Sequence, residues 1–395
     1  MSSAFEKRLY LTSSSLHLSF LASNKPSLQE NLKKIFAQKD RHAQMSLLYE
    51  LLAAHGPLVV QETIKQSAPN TIKDTHVFLH HIGEYLYETQ GDKGIFACKN
   101  YYLLACKHGF IESLMAKDGM VGIKRLLKTV NEQTQMTPNE RIQISHGIGH
   151  GFENYFKYDL PHSLAACDEL LPLLPTASPY WCYYGAFMEN AVSNIYDGVP
   201  VETRLSKNQH PLSPCKDLPE RYHYACFTSQ PRLMNWLFDR NFDKIISTCN
   251  AIAQSNDRTA CFQGIATLAV LAENPFNKNT EKVLAVCRKL PDPYDTTCVI
   301  FAAQMHVWLE DYSSFPIDLC KTLSVENDRT WCGKYLVDGI IIMEPDQQTI
   351  KRFCTNLPIE MADDRCVLLM SGQKIELPLE YLDTATPFQN IPSLN

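Results

Sequence analysis

Two histidines lie four residues apart in 144-ISHGIGHGFENYF-156, and three glycines fall within five positions of the same stretch. Imidazoles at i and i+4 project from one face of a helix, and helical proteins build metal sites from such pairs. A glycine-rich phosphate loop is the alternative, but that loop needs a strand before it. The preceding residues, 138-PNERIQIS-145, are instead typical of a helix that begins at Pro138. We therefore predict that 144–156 is helical and that His146 and His150 share a face.

Histidine and glutamate recur at the same spacing in two earlier segments, which contain His76, His80 and Glu84 and then His108 and Glu112. Seven of the thirteen histidines lie between residues 76 and 162. Alignment of the two His-Gly dipeptides, at 108–109 and 146–147, superposes Glu112 on His150. Equivalent faces of consecutive helical repeats stack about 10 Å apart, so inward side chains from three such helices can converge on one point.

These spacings predict a metal site whose ligands are His80, His108, His146 and His150. Imidazole nitrogens with carboxylate oxygens suit Zn²⁺, Fe²⁺, Mn²⁺ or Cu²⁺, so the predicted cofactor is a divalent transition metal. The predicted further ligands or catalytic acid/base groups are Glu84 and Glu112, with Glu153 and Glu189 as secondary candidates. His81 lies about 100° around the helix from His80, so only one of the two can face the site. The competing interpretation is that each histidine is a buried, hydrogen-bonded packing residue.

The fourteen cysteines fall into seven pairs whose members are close in sequence. Four pairs enclose similar segments: 249-CNAIAQSNDRTAC-261, 287-CRKLPDPYDTTC-298, 320-CKTLSVENDRTWC-332 and 354-CTNLPIEMADDRC-366. In each segment a short apolar helical turn follows the first cysteine, and a polar loop then leads into another helical turn. The first cysteines of these segments are 38, 33 and 34 residues apart, which is the period of a helix–turn–helix repeat.

Geometry favours one disulfide for each helical hairpin. Facing Cα atoms of two packed helices lie about 4–6 Å apart, and a disulfide requires about 5.5–6 Å. Three glycines, Gly109, Gly185 and Gly264, each follow a second cysteine by three residues, where they let a neighbouring helix approach. Structural zinc and c-type haem are not favoured, because the chain has no CxxC motif. Reduced core cysteines remain the alternative. Local disulfides predict an oxidising, extracytoplasmic compartment, either periplasmic or secreted.

The predicted fold is all-α, a right-handed solenoid of antiparallel helix hairpins, most of them stapled by a local disulfide. The predicted organisation is an N-terminal helical segment (1–70), His/Glu-bearing helical repeats (71–196), a Pro-containing connecting loop (197–214), disulfide-stapled hairpin repeats (215–373) and a tail (374–395). Basic residues precede a weakly apolar stretch in 7–24, but three serines and a histidine interrupt it, so it is a poor export signal.

The repeat period and the hairpin unit resemble those of the TPR and Sel1-like helical repeats, although the consensus residues of those families are missing. The segments 80-HHIGEYLY-87, 106-CKHGFIES-113, 146-HGIGHGF-152 and 182-CYYGAFMEN-190 are also similar to a set of uncharacterised cysteine-rich helical proteins of microbes. That second resemblance covers roughly residues 75–300. It implies a helical fold and brings no assigned activity with it.

Composition excludes several functional classes. The chain has 395 residues, a net charge of −6 and no Lys/Arg-rich block, so nucleic acid is not a predicted partner. It contains no run of 18 apolar residues that could span a membrane. Two functions follow as hypotheses. One is an extracytoplasmic metal-binding protein, as a metal-dependent hydrolase or oxidoreductase that takes a small molecule. The other is a non-enzymatic solenoid that binds a peptide, glycan or protein partner on its concave face.

Overall fold

A computed structural model of the chain describes residues 27–38, 40–67, 72–102, 104–132, 138–173, 179–192, 208–272 and 278–375. All regular structure in these ranges is helical and none of it is β-strand, as the all-α prediction requires. The parts of the prediction that lie outside the described residues are the segment 7–24, residues 197–207 of the connecting loop and residues 376–395 of the tail. None of the described helices is long and apolar enough to cross a bilayer.

The α-helices, in chain order, are α1 (Leu28–Ala37), α2 (Arg41–His55), α3 (Pro57–Ser67), α4 (Ile72–Gln90), α5 (Ala105–Asn131), α6 (Pro138–Tyr155), α7 (Leu160–Leu170), α8 (Pro179–Val192), α9 (His223–Leu237), α10 (Phe242–Asn250), α11 (Ser255–Ala272), α12 (Thr280–Cys287), α13 (Tyr294–Trp308), α14 (Phe315–Lys321), α15 (Glu326–Met343), α16 (Gln347–Asn356) and α17 (Asp364–Met370). Short 3-10 helices lie at Gly91–Ala97, Leu171–Leu173, Cys215–Asp217, Glu220–Tyr222 and Ile359–Met361. The stretch 144–156, with its three glycines, therefore belongs to helix α6 up to Tyr155 and is not a loop.

The chain separates into two compact units, residues 1–69 and 70–395. In the first unit α1, α2 and α3 pack against one another. A capping box starts α1, because the Ser27 hydroxyl accepts the Glu30 N–H while the Glu30 carboxylate accepts the Ser27 N–H. Gly56, at φ +81°, ends α2, and Pro57 begins α3 at once.

The second unit is organised around its longer helices. Each long helix packs against the next long helix along the chain, in the order α4, α5, α6, α8, α9, α11, α13 and α15. Each of four shorter helices packs against the long helix that follows it; these are α7, α10, α12 and α14. The centres of α11, α13 and α15 are buried on all sides, which is expected of helices with neighbours on every face. Helix α15 also contacts α6, where the amide of Asn139 lies 4.0 Å from the Met343 sulfur. The row of long helices therefore curves back on itself.

All fourteen cysteines are disulfide-bonded, in the seven sequence-local pairs that the spacing predicts. The pairs are Cys98–Cys106, Cys167–Cys182, Cys215–Cys226, Cys249–Cys261, Cys287–Cys298, Cys320–Cys332 and Cys354–Cys366. Their Cα–Cα distances run from 5.4 to 5.9 Å, close to the usual separation. Each bond joins one helical segment to the long or terminal helix that follows it.

Glycines set the closest helix crossings of the second unit. A Cβ on Gly109 would overlap the backbone of His80, and a Cβ on Gly185 would overlap the carbonyl of His146. Because the obstructing atoms belong to backbone, no side-chain rotation could relieve such a clash. These two glycines therefore allow α5 to press on α4, and α8 to press on α6. The spacing of glycine after the second cysteine predicts these approaches correctly.

Candidate functional site

The first histidine pair lies on helix α4. Nε2 of His76 and Nε2 of His80 are 3.0 Å apart. The Nδ1 atom of His76 lies 2.9 Å from the carbonyl oxygen of Tyr102, and Nδ1 of His80 lies 3.2 Å from Oε2 of Glu112 on α5. Because a carbonyl and an ionised carboxylate only accept hydrogen bonds, both Nδ1 atoms carry the hydrogen. The two Nε2 atoms thus face each other.

The second pair, on helix α6, repeats this arrangement. Nε2 of His146 and Nε2 of His150 are 3.1 Å apart, and Nδ1 of His150 lies 2.9 Å from Oε2 of Glu189 on α8. Nδ1 of His146 is buried and makes no hydrogen bond of normal geometry, although the Trp181 backbone is near enough to raise the pKa of that imidazole. Both histidines are only 6% exposed.

His108, on helix α5, lies between the two pairs. Its ring centroid is 5.8 and 6.0 Å from the rings of His80 and His76, and 5.4 and 5.2 Å from those of His146 and His150. The side chain is 3% exposed, and its Nε2 atom has no hydrogen-bond partner. A buried nitrogen without a partner is costly, so its position among four other imidazoles requires an explanation.

Burial keeps the central histidines neutral. It lowers the pKa of His76, His108 and His146 well below the usual range, and neighbouring imidazoles lower the pKa of each further. Burial raises the pKa of Glu112, but the charge and hydrogen bond of His80 outweigh that effect, and the pKa of this carboxyl is lowered overall. His76, His108 and His146 are thus kept neutral near the ionised Glu112 carboxylate, and the neutral imidazole is the form that binds a metal ion.

One group of three among the described residues has ligand atoms close enough to share a metal ion: His76, His80 and His108, with one nitrogen from each lying within 4.8 Å of the others. Two nitrogens bound to Zn²⁺ at about 2.0–2.1 Å, with an angle of about 90–110° between them, lie about 2.9–3.4 Å apart. The 3.0 Å separation of the first pair is within that range. Three histidine ligands leave a fourth position for water or substrate.

The structure brings all four predicted histidine ligands, His80, His108, His146 and His150, into this cluster and adds His76. Of the predicted glutamates, Glu112 contacts His80, whereas Oε2 of Glu84 lies 3.2 Å from Nδ1 of His81. The catalytic role of Glu84 stays a prediction. The spacing of His76 and His80 indicates a pair, but it does not tell which members of the series 76, 80 and 84 face inward.

The two secondary candidates differ in their environments. Oε2 of Glu189 is within hydrogen-bonding distance of Nδ1 of His150, as Oε2 of Glu112 is of Nδ1 of His80. Glu189 therefore belongs to the cluster. Glu153 is fully buried and accepts a hydrogen bond from the Asn190 side chain at 2.8 Å. Glu189 could have been identified from its position four residues after the crossing glycine Gly185, one helical turn beyond the point of closest approach.

An aromatic and cationic surface adjoins the second pair. The Tyr184 ring lies 5.4 Å from the His146 ring and is stacked on Tyr180 at 5.6 Å. The guanidinium of Arg232 lies 3.5 Å from the Tyr184 hydroxyl, and its positive charge contributes to the lowered pKa of His146. A buried lysine lies on the other side of the cluster, where Lys107, next to His108, forms an ion pair with Glu140 at 2.9 Å. That ion pair ties the start of α5 to the start of α6.

Comparison with protein-family models, with curated proteins and with solved structures found no match for this chain.

Proposed function

We propose that this chain is an extracytoplasmic helical-repeat protein that holds a divalent transition metal ion with His76, His80 and His108. The proposal is supported mainly by a row of contacts that runs from the Tyr102 carbonyl through the imidazoles of His76 and His80 to Glu112. This row has three contacts, each short enough to need a hydrogen between the two atoms. Two neutral imidazoles supply only two hydrogens, so one further positive species is required.

Either a metal ion or a proton can supply that charge. A proton on His76 is disfavoured, because burial lowers the pKa of that imidazole well below its usual value. Glu112 does not supply the hydrogen either, because the pKa of this carboxyl is itself lowered. A protonated His80 would satisfy the same three contacts without a metal, and the measurement of metal content below distinguishes the two. A cation between the two Nε2 atoms satisfies both lone pairs, and it also gives a partner to the Nε2 atom of His108.

The chemistry proposed for this site follows from the open fourth position. A water molecule there would be acidified by the metal, or a substrate oxygen polarised, which suits a metal-dependent hydrolase or oxidoreductase. Glu112 would act as a positioning residue, because its hydrogen bond orients His80 and raises the basicity of Nε2. Zn²⁺, Fe²⁺, Mn²⁺ and Cu²⁺ all accept imidazole ligands.

The proposed architecture is a right-handed solenoid of antiparallel hairpins. Support comes from the regular alternation of shorter and longer helices, from the packing of each long helix on the next, and from one disulfide at each junction. Closing a loop of about 12 residues stabilises each junction by roughly 2–3 kcal/mol. Seven such bonds persist only where the environment is oxidising, so we place the protein in the periplasm or outside the cell.

The metal content of disulfide-intact protein tests the proposal. Protein isolated from an oxidising compartment, dialysed against metal-free buffer and measured by plasma mass spectrometry should contain at least one transition metal ion per chain. The His80→Gln and His108→Gln variants should each lose metal. His162→Gln is the matched control, because that side chain is 71% exposed and its Nδ1 atom pairs with Asp159, the N-cap of α7.

Wild-type protein that contains no metal, and acquires none from Zn²⁺ or Co²⁺ in solution, would contradict the proposal. The non-enzymatic solenoid, which binds a peptide, glycan or protein partner on its concave face, would then be the better account. In that case the five imidazoles would be packing residues.

A further inference from the structure

The second histidine pair has nearly the same Nε2–Nε2 separation as the first, although its two rings are inclined at 82° to each other and those of the first pair at 46°. Nε2 of His146 and Nε2 of His150 face each other at 3.1 Å, compared with 3.0 Å for His76 and His80. Both distances fall within the range of about 2.9–3.4 Å expected for two nitrogens on one tetrahedral or octahedral metal ion. In each pair one Nδ1 atom is held by a carboxylate, and that bond fixes the ring so that Nε2 points at its neighbour.

The helices that carry the two pairs cross their partners in the same way. Gly83 of α4 and Gly149 of α6 each approach the carbonyl of a disulfide-bonded cysteine, Cys106 in the first crossing and Cys182 in the second. The partner helices return the contact through Gly109 and Gly185, which press on the backbones of His80 and His146. The carboxylate of each crossing follows one helical turn after the returning glycine, as Glu112 and Glu189. The pairs lie at different places along these crossings, because His76 and His80 both precede Gly83 whereas His146 and His150 lie on either side of Gly149, but each pair has its own carboxylate.

Burial strengthens the case for a ligand at the second pair. His146 and His150 are each 6% exposed, and Nδ1 of His146 makes no hydrogen bond of normal geometry. Water is therefore largely excluded from two imidazoles that already face one another. Electrostatic attraction between a cation and the adjacent Glu189 carboxylate is little screened in such a place.

We propose that His146 and His150 hold a second divalent transition metal ion, so that the centre binds two ions. This inference extends the proposed function and rests on it for the first ion. Among the described histidines, His108 is the one whose ring contacts both pairs, and a single Nε2 atom completes only one ion's coordination at a time. The ion at His76 and His80 thus has three protein ligands, while the ion at His146 and His150 has two and completes its shell with water or substrate. The second ion should bind more weakly than the first.

Calorimetric titration of metal-free, disulfide-intact full-length protein with Zn²⁺ tests this inference, and Co²⁺ absorption provides an independent count. Wild type should take up about two ions per chain in two phases of unequal affinity. The His146→Gln/His150→Gln variant should retain only the tighter phase. The His76→Gln/His80→Gln variant should retain about one ion per chain, bound with changed affinity because His108 becomes free. The exposed His162→Gln control should behave as wild type.

A milder variant protects the test against misfolding. Glu189→Gln keeps both imidazoles and removes only the charge behind His150, so it should weaken one phase by about 10–100-fold and leave the other unchanged. Far-UV circular dichroism and the mass of the oxidised chain verify that each variant is folded with its disulfides formed. A merely structural role for Glu189 would not weaken one phase selectively.

The outcomes separate this inference from the proposed function. Wild type that binds one ion, with the His146→Gln/His150→Gln variant still binding one, would overturn the second position and leave the first intact. One ion that is lost in both double variants would mean a single site shared by all the imidazoles, which also overturns the inference. No bound Zn²⁺ or Co²⁺ at all would overturn both.

Discussion

Replacing Gly149 with alanine adds a methyl group where helix α6 crosses helix α8 most closely. The new Cβ would overlap the Cys182 carbonyl oxygen and would lie 2.7 Å from the Ala186 nitrogen, whereas ordinary contact begins near 3.4 Å. Both obstructing atoms belong to the backbone, so no side chain can move aside. The contact with the Ala186 nitrogen alone requires a separation of about 0.7 Å and the nearer Cys182 oxygen requires more, and a gap of that size forfeits a quarter to a half of the dispersion energy across the contact.

The free energy of unfolding should fall by about 2 kcal/mol. Overpacking lowers the stability by about 1–3 kcal/mol, and by more where no side chain can rotate to relieve the clash. Alanine has a higher helix propensity than glycine, which offsets about 1 kcal/mol of that loss. The same separation would lengthen the contact of His150 Nδ1 with Glu189 Oε2 from 2.9 Å to about 3.6 Å, beyond hydrogen-bonding range. We therefore also expect weaker binding of Zn²⁺ at the second pair.

Denaturant unfolding with the disulfides intact, followed by circular dichroism, measures the loss of stability. Gly151→Ala is the matched control, because its Cβ would meet the Met115 sulfur, at the end of a flexible side chain that can move. That control should lose less than about 1 kcal/mol. Equal stability of the two variants would refute the inference that Gly149 is required for a close backbone crossing.

Three further predictions concern bonding, ion pairing and pH. Reduction should raise the intact mass by fourteen hydrogens, two for each of the seven disulfides, and peptide mapping should recover only sequence-local pairs. Free thiols in native protein would contradict the proposal that the protein is periplasmic or secreted. Arg365→Ala should destabilise the protein by about 3–5 kcal/mol, because it removes the guanidinium that pairs with the fully buried Asp338 carboxylate, and unchanged denaturant unfolding would refute that. Metal-free protein should lose thermal stability as the pH falls below about 6.5. His76, His108 and His146 have lowered pKa values in the fold, so the unfolded chain binds protons in this pH range that the folded chain does not. A melting temperature that is constant or rises between pH 7.5 and 5.5 would contradict this prediction.

The local features of the site could be predicted from sequence because they depend on spacing alone. An i,i+4 histidine pair on a helix that begins at Pro138 projects from one face whatever surrounds it, and the structure has that helix. Cysteine pairs about 12 residues apart likewise leave few partners within reach, so all seven bonds are as predicted.

The choice among histidines and glutamates could not be predicted in the same way, because it depends on how each helix is rotated about its axis. His76, His80 and Glu84 have the same spacing, yet the structure pairs the first two with each other, while the contact described for Glu84 is with His81. That rotation is set by the contact of Gly109 with the His80 backbone, which joins residues of two different helices. The contact of the Tyr102 carbonyl with His76 could not be predicted either, because every residue has a backbone carbonyl and the residue type does not indicate its role.

Anomalous X-ray diffraction from crystals of the Zn²⁺-loaded protein, recorded on both sides of the zinc absorption edge, tests the central claim most directly. The account predicts an anomalous peak about 2.0–2.2 Å from the Nε2 atoms of His76 and His80 and from a nitrogen of His108. The absence of any peak within the imidazole cluster, with zinc only at surface carboxylates or at the exposed His162, would contradict it.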